Sequence, residues 1–232
     1  MSAYRPVVAF RGEPGTKPPQ GGFCVSPAMK VNVYIDGFNL YYGAVKGTPY
    51  RWLNLAEMCR MLLPRDQILQ IKYFTALVNP RPSNPDQRSR QETFLRALAT
   101  IPNLSIIYGF FLTHEIMMPL APPAKGYKKV IKTEEKGSDV NLATHLLIDG
   151  FDDAYELAVV VSNDSDLLEP IKVVTQRLGK PVGILNPHRV PSAALLPHAT
   201  FVKQIRHGVL ARSQFPNVLA DNRGSFSKPA GW

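Results

Sequence analysis

The sequence is poor in cysteine and contains no long apolar run. Its two cysteines, Cys24 and Cys59, lack metal-ligand spacing and are too few for a disulfide framework, which favours a reducing compartment. The first residues have no apolar core long enough for a signal peptide, and no later segment approaches the roughly 20 apolar residues of a membrane-spanning helix. These absences argue against a disulfide scaffold or a membrane protein and predict a cytoplasmic protein.

Acidic residues are fewer than basic ones and are unevenly placed. The chain has 18 Asp and Glu against 27 Lys and Arg, a formal net charge of +9. Ten of the 18 acids fall between Glu134 and Glu169, whereas residues 1–30 and 203–232 are mainly basic. A carboxylate cluster in a basic chain is typical of metal-assisted chemistry on a polyanion. Basic tails that aid solubility and acids that cap helices explain the same distribution.

Apolar strand patterns alternate with helical patterns along the middle of the chain. The strands are predicted at residues 31–35, 68–78, 104–111, 157–161 and 182–185, with a last edge strand at 200–202. The helices are predicted at 53–63, 86–99, 138–148 and 167–178. Such alternation predicts an α/β protein, a three-layer α/β/α sandwich with a mainly parallel sheet of about five or six strands.

The chain is long enough for one domain with tails. Residues 1–28 are rich in Pro and Gly, so we predict a disordered basic N-terminal tail, and a second disordered basic tail at 208–232. The domain between them spans 29–207. Its segment 113–133 is rich in Pro and Lys and is predicted to be an inserted loop or hairpin that projects from the sheet.

Carboxylates follow two of the predicted strands. Asp36 ends the first strand, and Asp164 and Asp166 follow the strand at 157–161. Because the carboxyl ends of parallel strands meet at one edge, these acids are predicted to converge there, with Asp139 at a helix start as a further candidate. Clustered carboxylates repel each other unless a cation neutralises them, and oxygen ligands select Mg²⁺ or Mn²⁺. For any one of these acids taken alone, capping of the following helix is the favoured explanation, whereas the group together fits a metal site equally well.

Three motifs in this order resemble the NYN domain family of the PIN-like nuclease superfamily. They are Tyr34–Leu40, Lys136–Val140 and Val160–Ile171. The resemblance extends over about residues 30–187 and implies that residues 29–207 form a NYN/PIN-like nuclease domain. One departure is Asn163, where the family commonly has Gly.

The resemblance also implies site residues and a cofactor. Asp36, Asp139, Asp164 and Asp166 match the acidic Mg²⁺ or Mn²⁺ site, Asn39 matches the family's Asn after the first strand, and Ser162 opens the last motif. The implied activity is metal-dependent hydrolysis of RNA, with Asp36, Asn39, Asp139, Asp164 and Asp166 as catalytic residues. The candidate nucleic-acid-binding residues are Lys136, Ser162, Arg88, Lys128 and Lys129, although Arg88 and the lysines also fit a solvated charged face.

Several alternatives remain open from the sequence. The chain fits an RNA-binding or regulatory module that keeps the fold without catalysis. It also fits a phosphatase-like α/β enzyme, although Asp36 is not followed by a second Asp two residues on. Tyr41 and Tyr42 are candidates for stacking on bases or for the core. RNA is the expected partner, and a homodimer is a further possibility.

Overall fold

The computed structural model describes residues 28–80 and 82–232, in which strands and helices alternate. The strands are β1 Lys30–Asp36, β2 Gln67–Thr75, β3 Leu104–Tyr108, β4 Phe110–Pro119, β5 Tyr127–Lys136, β6 Leu157–Val161, β7 Val182–Asn186, β8 Phe201–Gln204, β9 Val218–Asp221 and β10 Gly224–Ser227. The helices are α1 Gly37–Leu40, α2 Leu55–Leu62, α3 Gln87–Leu98, α4 Ser138–Phe151, α5 Leu168–Lys172 and α6 His207–Arg212. Short π-helical segments at Tyr41–Val45 and Val173–Arg177, and 3₁₀ turns at Ser165–Leu167 and Leu196–His198, extend or link these elements.

The apolar strands form the centre of the fold. Within the described residues, six strands form one parallel sheet in the order β3-β2-β1-β6-β7-β8. All of β6 is buried, and so is β1 from Val31 onward. Such nearly continuous burial is expected of central parallel strands that are covered on both faces. The predicted α/β fold with a mainly parallel sheet is confirmed.

Apolar side chains pack on both faces of this sheet. One core includes Met58 of α2, Leu98 of α3 and Leu210 of α6. The other includes Leu146 of α4 and Ile171 of α5. The sheet therefore lies between two helical layers, and the predicted three-layer sandwich is confirmed.

A buried ion pair fixes α4 against the sheet. Lys72 Nζ of β2 lies 2.7 Å from Asp149 Oδ2 of α4, and the hydroxyl of Tyr34 donates to the same carboxylate oxygen at 2.6 Å. His145 packs beside this pair, with Nδ1 3.4 Å from Lys72 Nζ, and burial together with the charge of Lys72 lowers its pKa. These contacts set the position of α4, whose first turn carries Asp139.

Residues 113–133, predicted to be a loop or a hairpin, belong to an antiparallel hairpin of β4 and β5. The register pairs Phe110 with Lys136 at one end and Pro119 with Tyr127 at the other. The hairpin follows β3 almost directly, so the single strand predicted at 104–111 is divided into two elements.

The C-terminal region contradicts the prediction of a disordered tail at 208–232. This segment contains most of α6 and the antiparallel β9–β10 hairpin. Phe215 is buried in the core, and the indole Nε1 of Trp52 donates to the carbonyl of Pro216 at 2.8 Å. The prediction failed because the apolar residues of this segment fall in groups too short to show a helix or strand period, while their partners lie far away in sequence.

Two further predictions concern the N-terminal tail and the absence of a membrane-spanning helix. Residues 1–27, nearly all of the predicted N-terminal tail, lie outside the described residues, so the tail stays a prediction. In the part of the chain that is described, no helix has both the length and the apolar character needed to cross a membrane.

Candidate metal centre

The first carboxylate of the predicted site, Asp36, ends β1 and is 5% exposed. Its Oδ1 accepts a hydrogen bond from the backbone N–H of Asn39 at 2.9 Å and so caps the helical turn that follows. Gly37 is needed next, because a Cβ there would lie 2.7 Å from the Phe74 carbonyl oxygen and from the Tyr73 ring. The close packing of this turn on β2 holds Asp36 at the edge of the sheet.

Ser162, directly after β6, links two of the carboxylates. Its hydroxyl donates to Asp36 Oδ2 at 3.0 Å and accepts from the backbone N–H of Asp164 at 3.1 Å. Asp164 in turn caps the next turn, since its Oδ1 accepts from the backbone N–H of Asp166 at 3.0 Å. Because β1 and β6 are adjacent and parallel, Asp36 and Asp164 meet at the same edge.

The third carboxylate, Asp139, comes from the first turn of α4. Gly137 precedes the helix with a φ of +95°, a conformation that glycine adopts without strain. Glu135 Oε1 accepts hydrogen bonds from the Ser138 hydroxyl at 2.6 Å and from its backbone N–H at 3.1 Å. This cap fixes the start of the helix and with it the position of Asp139.

The three carboxylates form one acidic cluster. One oxygen from each of Asp36, Asp139 and Asp164 lies within 4.8 Å of the other two. Burial raises the pKa of Asp36, although hydrogen bonds from Asn39 and Ser162 oppose the change. Burial, followed by the charges of Asp36 and Asp164, raises the pKa of Asp139 to about 6. Such an all-oxygen set, electrostatically unfavourable when it is ionised alone, fits a hard divalent cation such as Mg²⁺ or Mn²⁺.

The acidic cluster lies in a cavity of about 690 Å³, the acidic cavity. Its other walls come from the segment after β2, the start of α3 and one face of the β4–β5 hairpin. The lining residues include Phe38, Asn39, Tyr42, Asn79, Gln87, Phe111, Thr113, Ile131, Thr133, Glu135 and His188. The volume lies within the roughly 300–1,000 Å³ that is usual for ligand sites, so a substrate fits beside an ion.

Two other predicted site residues lie beside the acidic cluster. Asp166 is exposed, and the group of three converging oxygens does not include it, but its charge contributes to the raised pKa of Asp139. Asn39 Oδ1 accepts from the backbone N–H of Asn163 at 3.0 Å. Asn39 therefore ties the end of β1 to the end of β6.

The predicted lysine contacts divide between the two faces of the hairpin. Ile131 and Thr133 of β5 line the acidic cavity, and side chains alternate along a strand. Lys129 is on the same face as these residues, whereas Lys128 and Lys136 are on the opposite face. Of the three, only Lys129 is therefore on the cavity side, where it forms an exposed ion pair with Glu115 of β4.

The remaining predicted contacts have protein partners. Arg88 pairs with Glu92 on α3 at 2.6 Å, an exposed pair of the kind that typically contributes little to stability and leaves the arginine available. Ser162 is different because it is fully buried. A buried hydroxyl cannot reach an RNA phosphate, so the prediction that Ser162 binds nucleic acid is wrong; it positions Asp36 and Asp164 instead.

The sequence did not indicate the role of Asn163. Its Oδ1 accepts from the backbone N–H of Ser192 at 2.6 Å, and its Nδ2 donates to the carbonyl of Val190 at 3.1 Å. Asn163 thus fastens the loop after β7 to the site, which a glycine at this position cannot do. His188, which has no metal-ligand spacing in the sequence, lines the acidic cavity from this loop. Asn163 and His188 each bring together segments that are distant in sequence, so no local sequence pattern indicates their positions.

Comparison with known proteins agrees with this arrangement. The family model described as the NYN domain matches residues 30–203, which contain the sheet and all three clustered carboxylates. The chain belongs to the NYN domain family. NYN domains are part of the PIN-like superfamily, so the resemblance drawn from the three motifs is confirmed.

Two individual proteins resemble this NYN protein. The 6-hydroxy-3-succinoylpyridine 3-monooxygenase HspA of Pseudomonas putida (strain DSM 28022 / S16) is 27% identical over 239 residues, 89% of this chain and 76% of the relative. The crystal structure of a protein of unknown function, VPA0982 from Vibrio parahaemolyticus RIMD 2210633, matches with a TM-score of 0.51 and 18% identity over 78% of this chain and 96% of that one. At such low identity the second likeness shows the fold alone.

Proposed function

We propose that this NYN protein is a Mg²⁺- or Mn²⁺-dependent ribonuclease that hydrolyses RNA phosphodiester bonds. The observation that carries the proposal is the convergence of Asp36, Asp139 and Asp164, with one oxygen from each within 4.8 Å of the others at the edge of a NYN domain. Asp36 is buried, Asp139 and Asp164 are partly buried, and the raised pKa of Asp139 is typical of a carboxylate in a functional site.

The protein's own residues would hold and orient the reacting groups. Asp36, Asp139 and Asp164 would bind the ion, which supplies Lewis-acid activation of water and neutralises charge on the phosphoryl oxygens. Ser162 would orient the Asp36 carboxylate through its hydrogen bond to Oδ2. Asn39 keeps the two strand ends together, and Asp166, which is exposed, would act through water. Attack by water at phosphorus, with cleavage of the P–O3′ bond and a proton passing to the leaving 3′ oxygen, would leave 5′-phosphate and 3′-hydroxyl ends.

The acidic cavity supports action on a polymer. About 690 Å³ of open space lies beside the carboxylates, and Phe38, Tyr42 and Phe111 present aromatic surface in it. Aromatic rings stack on unpaired bases, while lysines such as Lys129 on the hairpin attract phosphates. These features favour single-stranded RNA as the substrate.

The test compares cleavage by the wild type and by Asp139→Asn. Purified proteins are incubated with labelled single-stranded RNAs in Mn²⁺ and in EDTA, and Asp152→Asn, an exposed change at the other end of α4, is the control. We expect Asp139→Asn to lose more than about a hundredfold of the rate, because even outer partners of metal ligands cost roughly 10- to 100-fold when removed. Equal cutting by wild type and Asp139→Asn in Mn²⁺ would show that the catalytic assignment is wrong. RNA binding in EDTA without cutting in Mn²⁺ would instead identify a catalytically silent RNA-binding module.

A second candidate function rests on the similarity to HspA. That relative is named a monooxygenase of 6-hydroxy-3-succinoylpyridine and aligns with 89% of this chain. This compound is a heteroaromatic acid, which fits a pocket next to the acidic cavity that is lined by aromatic residues and arginines. Oxygen uptake with 6-hydroxy-3-succinoylpyridine, a flavin and a reduced nicotinamide tests this candidate. Uptake that depends on the compound, in the absence of RNA cleavage, would favour it over the ribonuclease.

A further inference from the structure

A second cavity, of about 300 Å³, lies between the turn after β1 and helix α3. We call it the aromatic pocket, because Phe38, Tyr41, Tyr42, Tyr73, Phe94 and Trp232 line it. Tyr41 is 37% exposed and Tyr42 is 57% exposed. Of the two roles that the sequence left open for these tyrosines, a place in the core is therefore excluded. Flat aromatic walls favour a planar ring that stacks between or against them.

Two arginines give the aromatic pocket a positive character. Arg90 Nη2 donates to the side-chain oxygen of Asn84. Arg51 lines the same space, and its Nε is buried without a hydrogen-bond partner among the described residues. A buried guanidinium N–H without an acceptor is costly, which points to a ligand oxygen or nitrogen as the missing partner. The ligand expected here is therefore planar, aromatic and either anionic or rich in acceptors.

The aromatic pocket and the acidic cavity share part of their walls. Phe38, Tyr42, Val78 and Gln87 line both. Consecutive residues also line the two spaces, since Asp36 lines the acidic cavity and Gly37 lines the aromatic pocket. A ligand that crosses the shared wall can place one group beside the carboxylates and a ring between the tyrosines and α3.

We propose that the aromatic pocket binds one unpaired nucleobase of the RNA, next to the phosphate at the acidic cluster. Arg51 donates to an acceptor of that nucleotide, and Tyr41 stacks on the base. This inference rests on the proposed ribonuclease function and deepens it, since a pocket of this size admits one base and excludes a base pair. The substrate class is then single-stranded RNA with a base preference set by this pocket.

The experiment measures nucleotide binding separately from cleavage. The four ribonucleoside 5′-monophosphates are titrated into the full chain in EDTA by calorimetry, with wild type, Tyr41→Ala and Arg51→Gln. Arg60→Gln is the matched control, because Arg60 is an exposed arginine of α2 that pairs with Glu57 outside the aromatic pocket. We expect Arg51→Gln and Tyr41→Ala each to weaken binding about tenfold or more, and Arg60→Gln to leave it within about twofold.

The outcomes separate this proposal from the proposed function. Asp139→Asn should retain nucleotide binding in EDTA while it loses cleavage, so a failure of the nuclease assignment leaves this test intact. Because Tyr41 is partly exposed, Tyr41→Ala still tests the proposal if a thermal melt shows that Arg51→Gln is unstable. Absence of binding by every nucleotide, or equal binding by Tyr41→Ala and Arg60→Gln, would overturn the proposal. Binding of 6-hydroxy-3-succinoylpyridine with no nucleotide bound would also overturn it and would assign the pocket to a small heteroaromatic acid.

Discussion

At the scale of single residues, the acidic cluster depends on the hydroxyl of Ser162. This buried group donates to Asp36 and accepts from the backbone of Asp164, so it sets the spacing of two of the three carboxylates. We predict that Ser162→Ala weakens Mn²⁺ affinity by roughly 10- to 100-fold, the usual cost of losing an outer partner of metal ligands. Isothermal titration of the purified variants with Mn²⁺ measures the change.

The control for this prediction is Ser165→Ala, an exposed serine three residues along the same segment. It should bind Mn²⁺ as the wild type does. If Ser162→Ala and Ser165→Ala bind Mn²⁺ with equal affinity, the hydroxyl does not organise the cluster.

The pKa of Asp139 predicts how pH affects metal binding. Its value of about 6 lies above the ordinary value, so the folded apoprotein binds a proton more tightly than the unfolded chain does. The stability that this proton contributes is present at acidic pH and is lost as pH rises through about 6. A cation replaces the proton, so Mn²⁺ should raise the melting temperature more at about pH 7.5 than at about pH 5.5.

Thermal melts with and without Mn²⁺ at the two pH values test this expectation. In Asp139→Asn the increase caused by Mn²⁺ should be small at both. A wild-type increase that is larger at the acidic pH would contradict the assignment of Asp139 as a ligand.

The sequence was informative for the carboxylates because their position depends on local patterns. Asp36 and Asp164 each follow an apolar run, and parallel neighbours bring such ends together. Asn163 and Ser162 were harder to interpret, since their roles arise from hydrogen bonds to Val190 and Asp36 that no local pattern encodes.

At the scale of elements, the Lys72–Asp149 pair holds α4 on the sheet. The side chains are 10% and 13% exposed, so loss of one partner leaves a nearly buried charge. We predict that Lys72→Met lowers the free energy of unfolding by about 3–5 kcal/mol. Urea denaturation measures the loss, and the double change Lys72→Met/Asp149→Leu should recover part of it. A single variant as stable as the wild type would show that the pair does not fix α4.

The C-terminal segment is a second element-scale determinant of stability. Phe215 is 5% exposed and packs against Trp52 with ring centroids 5.7 Å apart. Phe215→Ala should cost about 3–5 kcal/mol, as expected for a large buried ring. Phe151→Ala, a ring that is 54% exposed on α4, is the control and should cost far less by the same denaturation assay. Equal losses would mean that the segment is not part of the folded core.

The elements of the main sheet could be predicted because their apolar runs are continuous and bounded by turn residues. The predicted strand at 157–161 agrees with β6, whose five residues are all buried. The α6 and β9–β10 region was missed because its buried residues, such as Leu210 and Phe215, lie in apolar groups too short to show a helix or strand period. Trp52 and Phe94 of α3 form the surface on which Phe215, Phe226 and Trp232 pack, and this surface exists only once the sheet has folded.

At the scale of the whole molecule, charge is arranged around the site. The chain carries a net charge of +9, yet its three converging carboxylates lie together at the edge of the sheet. The excess positive charge attracts a polyanion, and a cation in the acidic cluster would reduce the repulsion between its carboxylates and a phosphate. The aromatic pocket shares walls with the acidic cavity, and we propose it as the region that selects an unpaired base.

The most direct test of the account is the position of Mn²⁺ in crystals soaked with that ion. The account predicts an anomalous peak bonded at about 2.0–2.3 Å to oxygens of Asp36, Asp139 and Asp164. The same soak of Asp139→Asn crystals should show a weak peak or none at this position. Wild-type crystals with no anomalous peak at these three carboxylates, under conditions in which RNA is cleaved, would contradict the account.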